Sequence, residues 1–316
     1  MTMGWMMLLP LAASAVMWVS GTRLGRLLPP PTAVRLLTAT MLVIALATGF
    51  VLAVAAFTVL AQLPSVAALG RWSVQALRHG NPVSVSVGTA AGITVVLLLT
   101  AAIARALTAG RDLVRSARLC RRLGPAAAGL VVVADTIPDA FALAGLRGRI
   151  VVSTAMLKAL PAEERAVLLA HEAAHLAQHH HGYLLTAELA AAANPLLRPT
   201  ARAVRHAVER WADEVAATEV GDRALAARAL ARAGLARGNA RRNIGTVALG
   251  ATDTSLAGRA RALLAEPPAP RPVLTAALTV LMLAVICASA ITTRDTEARF
   301  ETAQAAYHRS QVLARP

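Results

Sequence analysis

The stretch LLAHEAAHLAQHHHG carries the residues of this chain that are best suited to chemistry. His171 and His175 are four residues apart, and Glu172 directly follows the first histidine. On a helix, residues four apart lie on the same face one turn apart, so both imidazoles can bind one metal ion. Glu172 is rotated by about 100° and can reach a metal-bound water without binding the metal itself. The pattern indicates a zinc site for hydrolysis, and on its own it is suggestive.

A catalytic zinc site also needs a third protein ligand, and it keeps a fourth position open for water. Glu209 and Asp213 lie four residues apart on the next predicted helix, in the stretch RHAVERWADEV. Glu209 can supply the third ligand, and Asp213 can orient a ligating histidine through its second ring nitrogen. His206 and Arg210 flank Glu209 and are candidates either to stabilise the oxyanion or to lie at the surface. We therefore expect one zinc ion per chain.

Three further histidines, His179, His180 and His181, follow the HEAAH motif. The helix that carries the motif is predicted to begin near Pro161, and these histidines lie at or just past its end. A polar or positive side chain suits the negative end of a helix. We therefore predict that they occupy the helix end and do not form a second metal site.

Four apolar stretches are each about long enough to cross a membrane, which takes about 20 mostly apolar residues. Hydrophobic residues make up 56% of the chain and the mean hydropathy is +0.56, so a purely soluble fold is not expected. The first stretch lacks the positive start of a secretory signal, and we predict that it is an uncleaved span. The predicted spans are residues 3–19, 36–63, 87–109 and 272–293.

A fifth apolar stretch, GYLLTAELAAAANPLL at residues 182–197, is interrupted by Glu188 and Asn194. An acidic and an amide side chain are costly inside a bilayer, so we do not expect a fifth span. The stretch is predicted to be a buried helix or a segment that dips against the membrane.

The chain has a net charge of +15, and nearly all of its basic residues are arginines. The arginines are spread out and no aromatic residues interleave with them to stack on bases, so we expect no nucleic-acid partner. Arginine-rich loops instead suit a multi-pass protein of the bacterial cell membrane, with the lipid bilayer as its partner. The loop charges favour an outer N-terminus and place residues 110–271 in the cytoplasm.

The predicted organisation follows from these spans. Residues 1–109 form a membrane region with three spans, residues 110–238 a metal-site domain, residues 239–271 a linker of low order, and residues 294–316 a short tail after the fourth span. The stretches GLVVVAD and DAFALAGLRGRIVVST predict three strands of a small antiparallel sheet before the HEAAH helix. The fold class is a mainly α membrane protein with four transmembrane helices and an inserted α+β domain.

HEAAH followed by ERWAD resembles the gluzincin membrane metalloproteases. These include the HtpX-like and CAAX-prenyl-protease-like peptidases and the BlaR/MecR-type antirepressor peptidases, and the four-span layout is similar to the antirepressor type. The resemblance covers residues from about 130 to 235. It implies a zincin-like domain in which His171, His175 and Glu209 bind zinc, Glu172 is the base and Asp213 supports a ligand. The antirepressor sensors carry a large outer domain after their last span and the sequence here does not, so direct β-lactam sensing is not expected.

These observations predict an integral-membrane zinc metalloendopeptidase that acts on a protein or peptide substrate. Two settings stay open, namely cleavage of a cytoplasmic repressor in signalling and turnover of membrane proteins. A different class also stays open, a catalytically inactive signalling or scaffold membrane protein with a structural zinc site. Glu172 argues against that class, because a purely structural site needs no base beside its ligands.

Overall fold

Helices make up most of the molecule. The computed structural model describes residues 2–80, 83–122, 129–143, 148–243 and 250–313. Within these ranges, four helices are long and apolar enough to cross a membrane, and a small sheet with further helices lies between the third and the fourth of them. The predicted fold class, a mainly α membrane protein with four spans and an inserted α+β domain, is confirmed.

As far as the described residues extend, the N-terminal region contains three long helices and two short ones. Pro30 and Pro64 each stand at the first position of a helix, where the missing N–H of proline costs no hydrogen bond. The helices are α1 (Thr2–Leu27), α2 (Pro30–Leu60), α3 (Pro64–Gly70), α4 (Val74–Gly80) and α5 (Val85–Arg122).

The sheet has three short strands in the order β1-β3-β2, where β1 is Leu130–Val133, β2 is Ala140–Leu143 and β3 is Arg149–Ser153. β3 pairs antiparallel with β2 but parallel with β1, so the predicted antiparallel sheet is a mixed one. The backbone oxygen of Asp135 accepts hydrogen bonds from the hydroxyl of Thr154 (3.0 Å) and the N–H of Ala155 (3.2 Å). These bonds join the carboxyl end of β1 to the carboxyl end of β3, which lie side by side because the two strands are parallel.

Among the described residues, six helices and one short 3-10 turn lie between the sheet and the last helix. The HEAAH helix begins directly after Pro161, and Glu163 and Glu164 lie in its first turn, where acidic side chains are favourable. The elements are α6 (Thr154–Ala159), α7 (Ala162–Ala177), α8 (His180–Ala193), the 3-10 turn Pro195–Leu197, α9 (Arg198–Val220), α10 (Arg223–Asn243) and α11 (Gly250–Leu264). The segment 239–271, expected to be a linker of low order, thus contains the end of α10 and all of α11.

The last helix, α12 (Pro272–Leu313), continues well past the predicted span 272–293. Its second half therefore replaces most of the expected short tail with a helix. Phe300 on this half packs against Phe57 and Trp72, with ring centroids 5.4 and 5.0 Å apart respectively. This aromatic cluster joins α12 to the end of α2 and to the short connection before α4.

The largest apolar core unites the spans with two helices of the inserted region, since residues of α1, α2, α8, α9 and α12 all contribute to it. Two glycines allow α1 and α9 to approach closely. A Cβ atom built on Gly21 would lie 2.1 Å from Oγ1 of Thr200, and one built on Gly25 would lie 2.9 Å from Cβ of Ala203. Both distances are too short for real atoms, so only glycine fits at these positions of α1.

Buried polar contacts fix the same packing. The hydroxyl of Thr200 donates to the backbone oxygen of Met17 at 2.9 Å. The amide of Asn194 donates to Oγ of Ser14 at 2.8 Å, and Ser14 lies 3.4 Å from the hydroxyl of Thr48 on α2. Buried polar groups keep their place only where they find such partners, so these bonds hold the start of α9 in one register against α1 and α2.

Candidate active site

Helices α7 and α9 bring the two predicted halves of the site together. His171 and His175 project from one face of α7, and their Nε2 atoms lie 3.2 Å apart. Glu209 on α9 faces them: one carboxylate oxygen is 3.8 Å from Nε2 of His171 and the other is 3.8 Å from Nε2 of His175. Two imidazoles and one carboxylate therefore converge on a single point.

The geometry of these three side chains fits a zinc ion. Zinc binds imidazole nitrogen at about 2.0–2.1 Å in tetrahedral geometry, so two such nitrogens stand about 3.3 Å apart, close to the 3.2 Å found between His171 and His175. One ligand atom from each of the three residues lies within 4.8 Å of the others. Two neutral imidazoles and a carboxylate are also the donor types of catalytic zinc sites.

Asp213 supports the first histidine. Its Oδ1 lies 3.0 Å from Nδ1 of His171, and its side chain is only 5% exposed. Burial alone would raise the pKa of Asp213, but hydrogen bonds with Arg259 and His171 outweigh it and lower the pKa. The carboxylate therefore stays charged and fixes the ring of His171 with Nε2 turned toward Glu209.

Arg259 is a site residue that the sequence did not indicate. From α11 it donates two hydrogen bonds to Asp213, Nε to Oδ2 at 2.7 Å and Nη2 to Oδ1 at 2.6 Å. Its Nη1 lies 2.8 Å from Oε2 of Glu209. One guanidinium thus holds both Glu209 and Asp213 on α9, in the forked geometry that arginine provides for carboxylates.

A second arginine, Arg223, binds the carboxyl end of α11. Arg223 at the start of α10 donates to the backbone oxygens of Leu263 (2.9 Å) and Ala262 (3.2 Å). Its guanidinium is paired with Glu214 on α9. A positive group is favourable at the carboxyl end of a helix, so α11 is tied to α9 at two points, through Arg259 and through Arg223.

His180 lies just past the end of α7, as predicted, but its side chain is buried. It is fully buried, its Nδ1 lies 3.1 Å from Nδ1 of His175, and its ring packs on Trp211 with centroids 4.8 Å apart. The left-handed backbone of His179 (φ 52°) turns the chain between α7 and α8 and points His180 inward. His179 itself is exposed.

Glu172 is buried beside His171, its neighbour on α7. Burial raises the pKa of Glu172, although the charges of His171 and Arg237 act in the opposite direction. The nearest cation is Arg237, whose Nη2 lies 3.9 Å from Oε1 of Glu172. Arg237 is held by Asp139, with 3.1 Å between Nε and Oδ1. A carboxylate with a raised pKa and an open side is suited to accept and release a proton.

Two depressions meet at Glu172. The first lies between α7, α9, α10 and α11, and apolar side chains such as Leu168, Leu230 and Leu256 line it beside His171. The second lies between β2 and the α7–α8 corner, lined by Ala142, Glu172, His175, Leu176, His181 and Leu184. β2 pairs only with β3 among the described residues, so it is an edge strand, and its Ala142 lines this second depression.

The two candidates for oxyanion stabilisation take other positions. Nη1 of Arg210 lies 3.4 Å from the backbone oxygen of Gly25 and 3.5 Å from that of Arg26, at the end of α1. His206 is exposed on α9. Neither lines the two depressions as far as the described residues extend, and a role for either in catalysis stays a prediction.

Comparison with known proteins adds one finding. Residues 110–193 match the family model described as Peptidase family M48. The matched segment contains the end of α5, the sheet, α6 to α8 and the HEAAH motif, and it supports a metallopeptidase. No curated protein and no solved structure gives a significant match. The match does not distinguish the antirepressor type from the HtpX type.

Proposed function

We propose that the protein is an integral-membrane zinc metalloendopeptidase. The observation that carries this proposal is the convergence of His171, His175 and Glu209, with the two Nε2 atoms 3.2 Å apart. The family match supports a metallopeptidase, and the four apolar helices make it a membrane protein. His171, His175 and Glu209 would hold one zinc ion, and Asp213 would fix the ring of His171.

The remaining side chains suggest how peptide hydrolysis proceeds. A zinc ion supplies a Lewis acid that lowers the pKa of water and polarises a carbonyl. Glu172 takes up the proton of the attacking water and delivers it to the leaving amine, for which its raised pKa is suited. The exposed edge of β2 holds an extended substrate by backbone hydrogen bonds, which places the scissile bond in the depression beside Glu172 and His175.

We further propose that the site faces the bacterial cytoplasm, as the arginine-rich loops indicate. Its substrate is then a cytoplasmic repressor or a membrane protein destined for turnover. The second candidate function is an inactive signalling or scaffold protein with a structural zinc site. The buried position of Glu172, open to both depressions, favours the enzyme.

The test uses the full chain in detergent, with zinc content and cleavage of fluorescent casein measured on the same samples. Wild type should hold about one zinc per chain and cleave casein. Glu209→Ala should lose both, while Glu172→Gln should keep the zinc and lose cleavage by at least about 100-fold. Glu163→Gln changes an exposed glutamate of the same helix and should leave both unchanged.

Each other outcome points elsewhere. Zinc with no cleavage in wild type, together with an unaltered fold in Glu172→Gln, would favour the scaffold function. Absence of zinc from folded wild type that has met no chelator would contradict both functions. Equal cleavage by wild type and Glu172→Gln would show that a contaminating protease acts on the casein.

A further inference from the structure

Helix α8, the 3-10 turn and the first half of α9 form a helical hairpin, here called the hairpin (residues 180–206). Its turn reaches deep between the spans. Asn194 bonds to Ser14 on α1 at 2.8 Å, and Thr200 bonds to the backbone oxygen of Met17 at 2.9 Å. Both partners lie in the apolar part of α1, so the turn of the hairpin lies at a level where the spans are surrounded by lipid.

The sequence of α1 gives a scale for this depth. Arg23 is the first charged residue after the apolar stretch of α1, and it marks the level at which the helix leaves the hydrocarbon. Ser14 lies nine residues before Arg23, which corresponds to about 14 Å of helix, and Met17 six residues before it, about 9 Å. Since the hydrocarbon is about 30 Å thick, the hairpin turn crosses most of one leaflet and stops near the bilayer midplane.

An ion pair on the other side of the hairpin marks the same boundary. Glu188 on α8 pairs with Arg105 on α5 and with Arg205 on α9, the latter at 2.7 Å. Arg105 is the first charged residue after the apolar stretch of α5. Two independent helices, α1 and α5, therefore place the boundary of the leaflet across the middle of the hairpin.

Three arginines lie on the outer face of the hairpin. Arg198, Arg202 and Arg205 are exposed and follow one another at intervals of four and three residues, so they share one face of α9. The opposite face, with Val204 and Ala207, is buried against the spans. Within the described ranges, Arg198 and Arg202 have no ion-pair partner. Three positive side chains thus face outward where α9 runs from the hydrocarbon, at Arg198, to the boundary that the ion pair of Arg205 marks.

We propose that the hairpin is inserted into the leaflet and that Arg198, Arg202 and Arg205 bind the phosphate groups of anionic phospholipids. Arginine side chains on an immersed helix extend toward the interface and keep their charge there. Their forked guanidinium groups bind phosphate oxygens in pairs. An anionic leaflet attracts such a row of arginines, so charge complementarity selects lipid phosphate as the occupant of this face.

The depth of the hairpin also fixes the position of His171, His175 and Glu209 relative to the membrane boundary. Glu209 follows Arg205 by one helical turn, and its neighbour Arg210 contacts the backbone oxygens of Gly25 and Arg26. Both of these residues come after Arg23 on α1 and thus lie just outside the hydrocarbon. The metal-binding residues therefore lie at the depth of the headgroups that the three arginines bind.

The binding test uses the purified full chain with equal amounts of phosphatidylglycerol and phosphatidylcholine in detergent, and native mass spectrometry to count retained lipids. Wild type should retain phosphatidylglycerol selectively. The variant R198Q/R202Q/R205Q should bind it about 100-fold more weakly. The variant R198K/R202K/R205K keeps the charge but loses the paired hydrogen bonds, so its binding should lie between those of wild type and the glutamine variant. The matched control R228Q/R261Q/R309Q removes three exposed arginines outside the hairpin and should bind like wild type.

Three outcomes would overturn the lipid assignment. These are undiminished phosphatidylglycerol binding by the glutamine variant, an equal loss in the control variant, and displacement of the lipid by an excess of inorganic phosphate, which would indicate a soluble anion.

Insertion of the hairpin is tested separately, with all arginines present. A spin label is attached at Pro195→Cys in a chain that also carries Cys120→Ser and Cys287→Ser, and the protein is placed in liposomes. The label should meet oxygen more readily than a water-soluble nickel chelate, and the reverse order would contradict insertion.

Discussion

The Nδ1 atom of His180 lies 3.1 Å from the Nδ1 atom of His175, and His180 is fully buried. When Nε2 of His175 binds a metal, its Nδ1 carries the proton and donates it to a hydrogen bond. Nδ1 of His180 is then the acceptor. The neutral imidazole of His180 therefore fixes the ring of His175, just as the Asp213 carboxylate fixes the ring of His171.

The first prediction follows from this relationship. His180→Phe keeps the volume against Trp211 but removes the acceptor, and zinc affinity should fall by about 10- to 100-fold. His180→Asn places an amide oxygen in the same region and should restore part of the loss. Competition with a zinc chelator measures both. His179→Asn alters an exposed histidine in the left-handed region, which Asn tolerates, and an equal loss there would contradict the role of His180.

Arg259 should be essential for stability, because it compensates a buried carboxylate. Arg259→Gln leaves Asp213 buried without its paired cation, and breaking a buried pair costs about 3–5 kcal/mol. Thermal unfolding in detergent, followed by tryptophan fluorescence, should show a clear drop in Tm. Adding Asp213→Asn to Arg259→Gln should recover part of the stability, because the unpaired charge is gone. An Arg259→Gln protein as stable as the exposed-site variant Arg261→Gln would show that the pair is unimportant.

Gly21→Ala should loosen the contact between α1 and α9. The new Cβ meets Oγ1 of Thr200 at 2.1 Å, and overpacking of this kind costs about 1–3 kcal/mol. Gly49→Ala on α2 has no atom within 4 Å of its Cβ and should be neutral or stabilising, because alanine favours helix. Combining Gly21→Ala with Thr200→Ala should recover part of the lost Tm. Equal Tm values for the two glycine variants would rule out the close contact.

Zinc binding should weaken as the pH falls. Burial lowers the pKa of His171, but its hydrogen bond with Asp213 and the nearby negative charges outweigh burial and raise the pKa above its usual value. A proton on the ligating nitrogen must leave before the metal binds. Affinity is therefore complete above the raised pKa and decreases as the pH drops through it.

Asp213→Asn supplies the comparison for this pH dependence. The amide removes the charge that raises the pKa of His171, so the decrease in zinc affinity should begin at a lower pH than in wild type. Chelator competition between about pH 5 and pH 8 covers the range in which histidine titrates. An onset at higher pH in Asp213→Asn would contradict the assigned cause.

The part of the site that could be predicted from the sequence depends on local spacing along a helix. Residues four apart share a helix face whatever the surrounding fold, so His171 and His175, and likewise Glu209 and Asp213, were placed as pairs from the sequence alone. The apolar stretches indicated the four spans for a similar reason, since length and composition decide whether a helix suits a bilayer.

The missed features depend on tertiary packing. Arg259 is 46 residues away from Asp213 in sequence and lies in a stretch without a motif, so only the folding of α11 onto α9 brings them together. The burial of His180 was not predicted because the chain reverses at His179, which periodicity does not show. The parallel pairing of β1 with β3 depends on the contact between Asp135 and Thr154, and strand composition carries no information about direction.

Helix α12 has 42 residues, and at 1.5 Å per residue it is about 63 Å long. A bilayer with its headgroups takes up about 45 Å of this length. The helix therefore forms one continuous connection between Phe300, in the aromatic cluster, and Pro272, its first residue. Seven residues separate Pro272 from α11, whose Arg259 binds Asp213 and Glu209. Helix α12, the seven linking residues and the end of α11 thus connect the aromatic cluster to the arginine that holds Asp213 and Glu209.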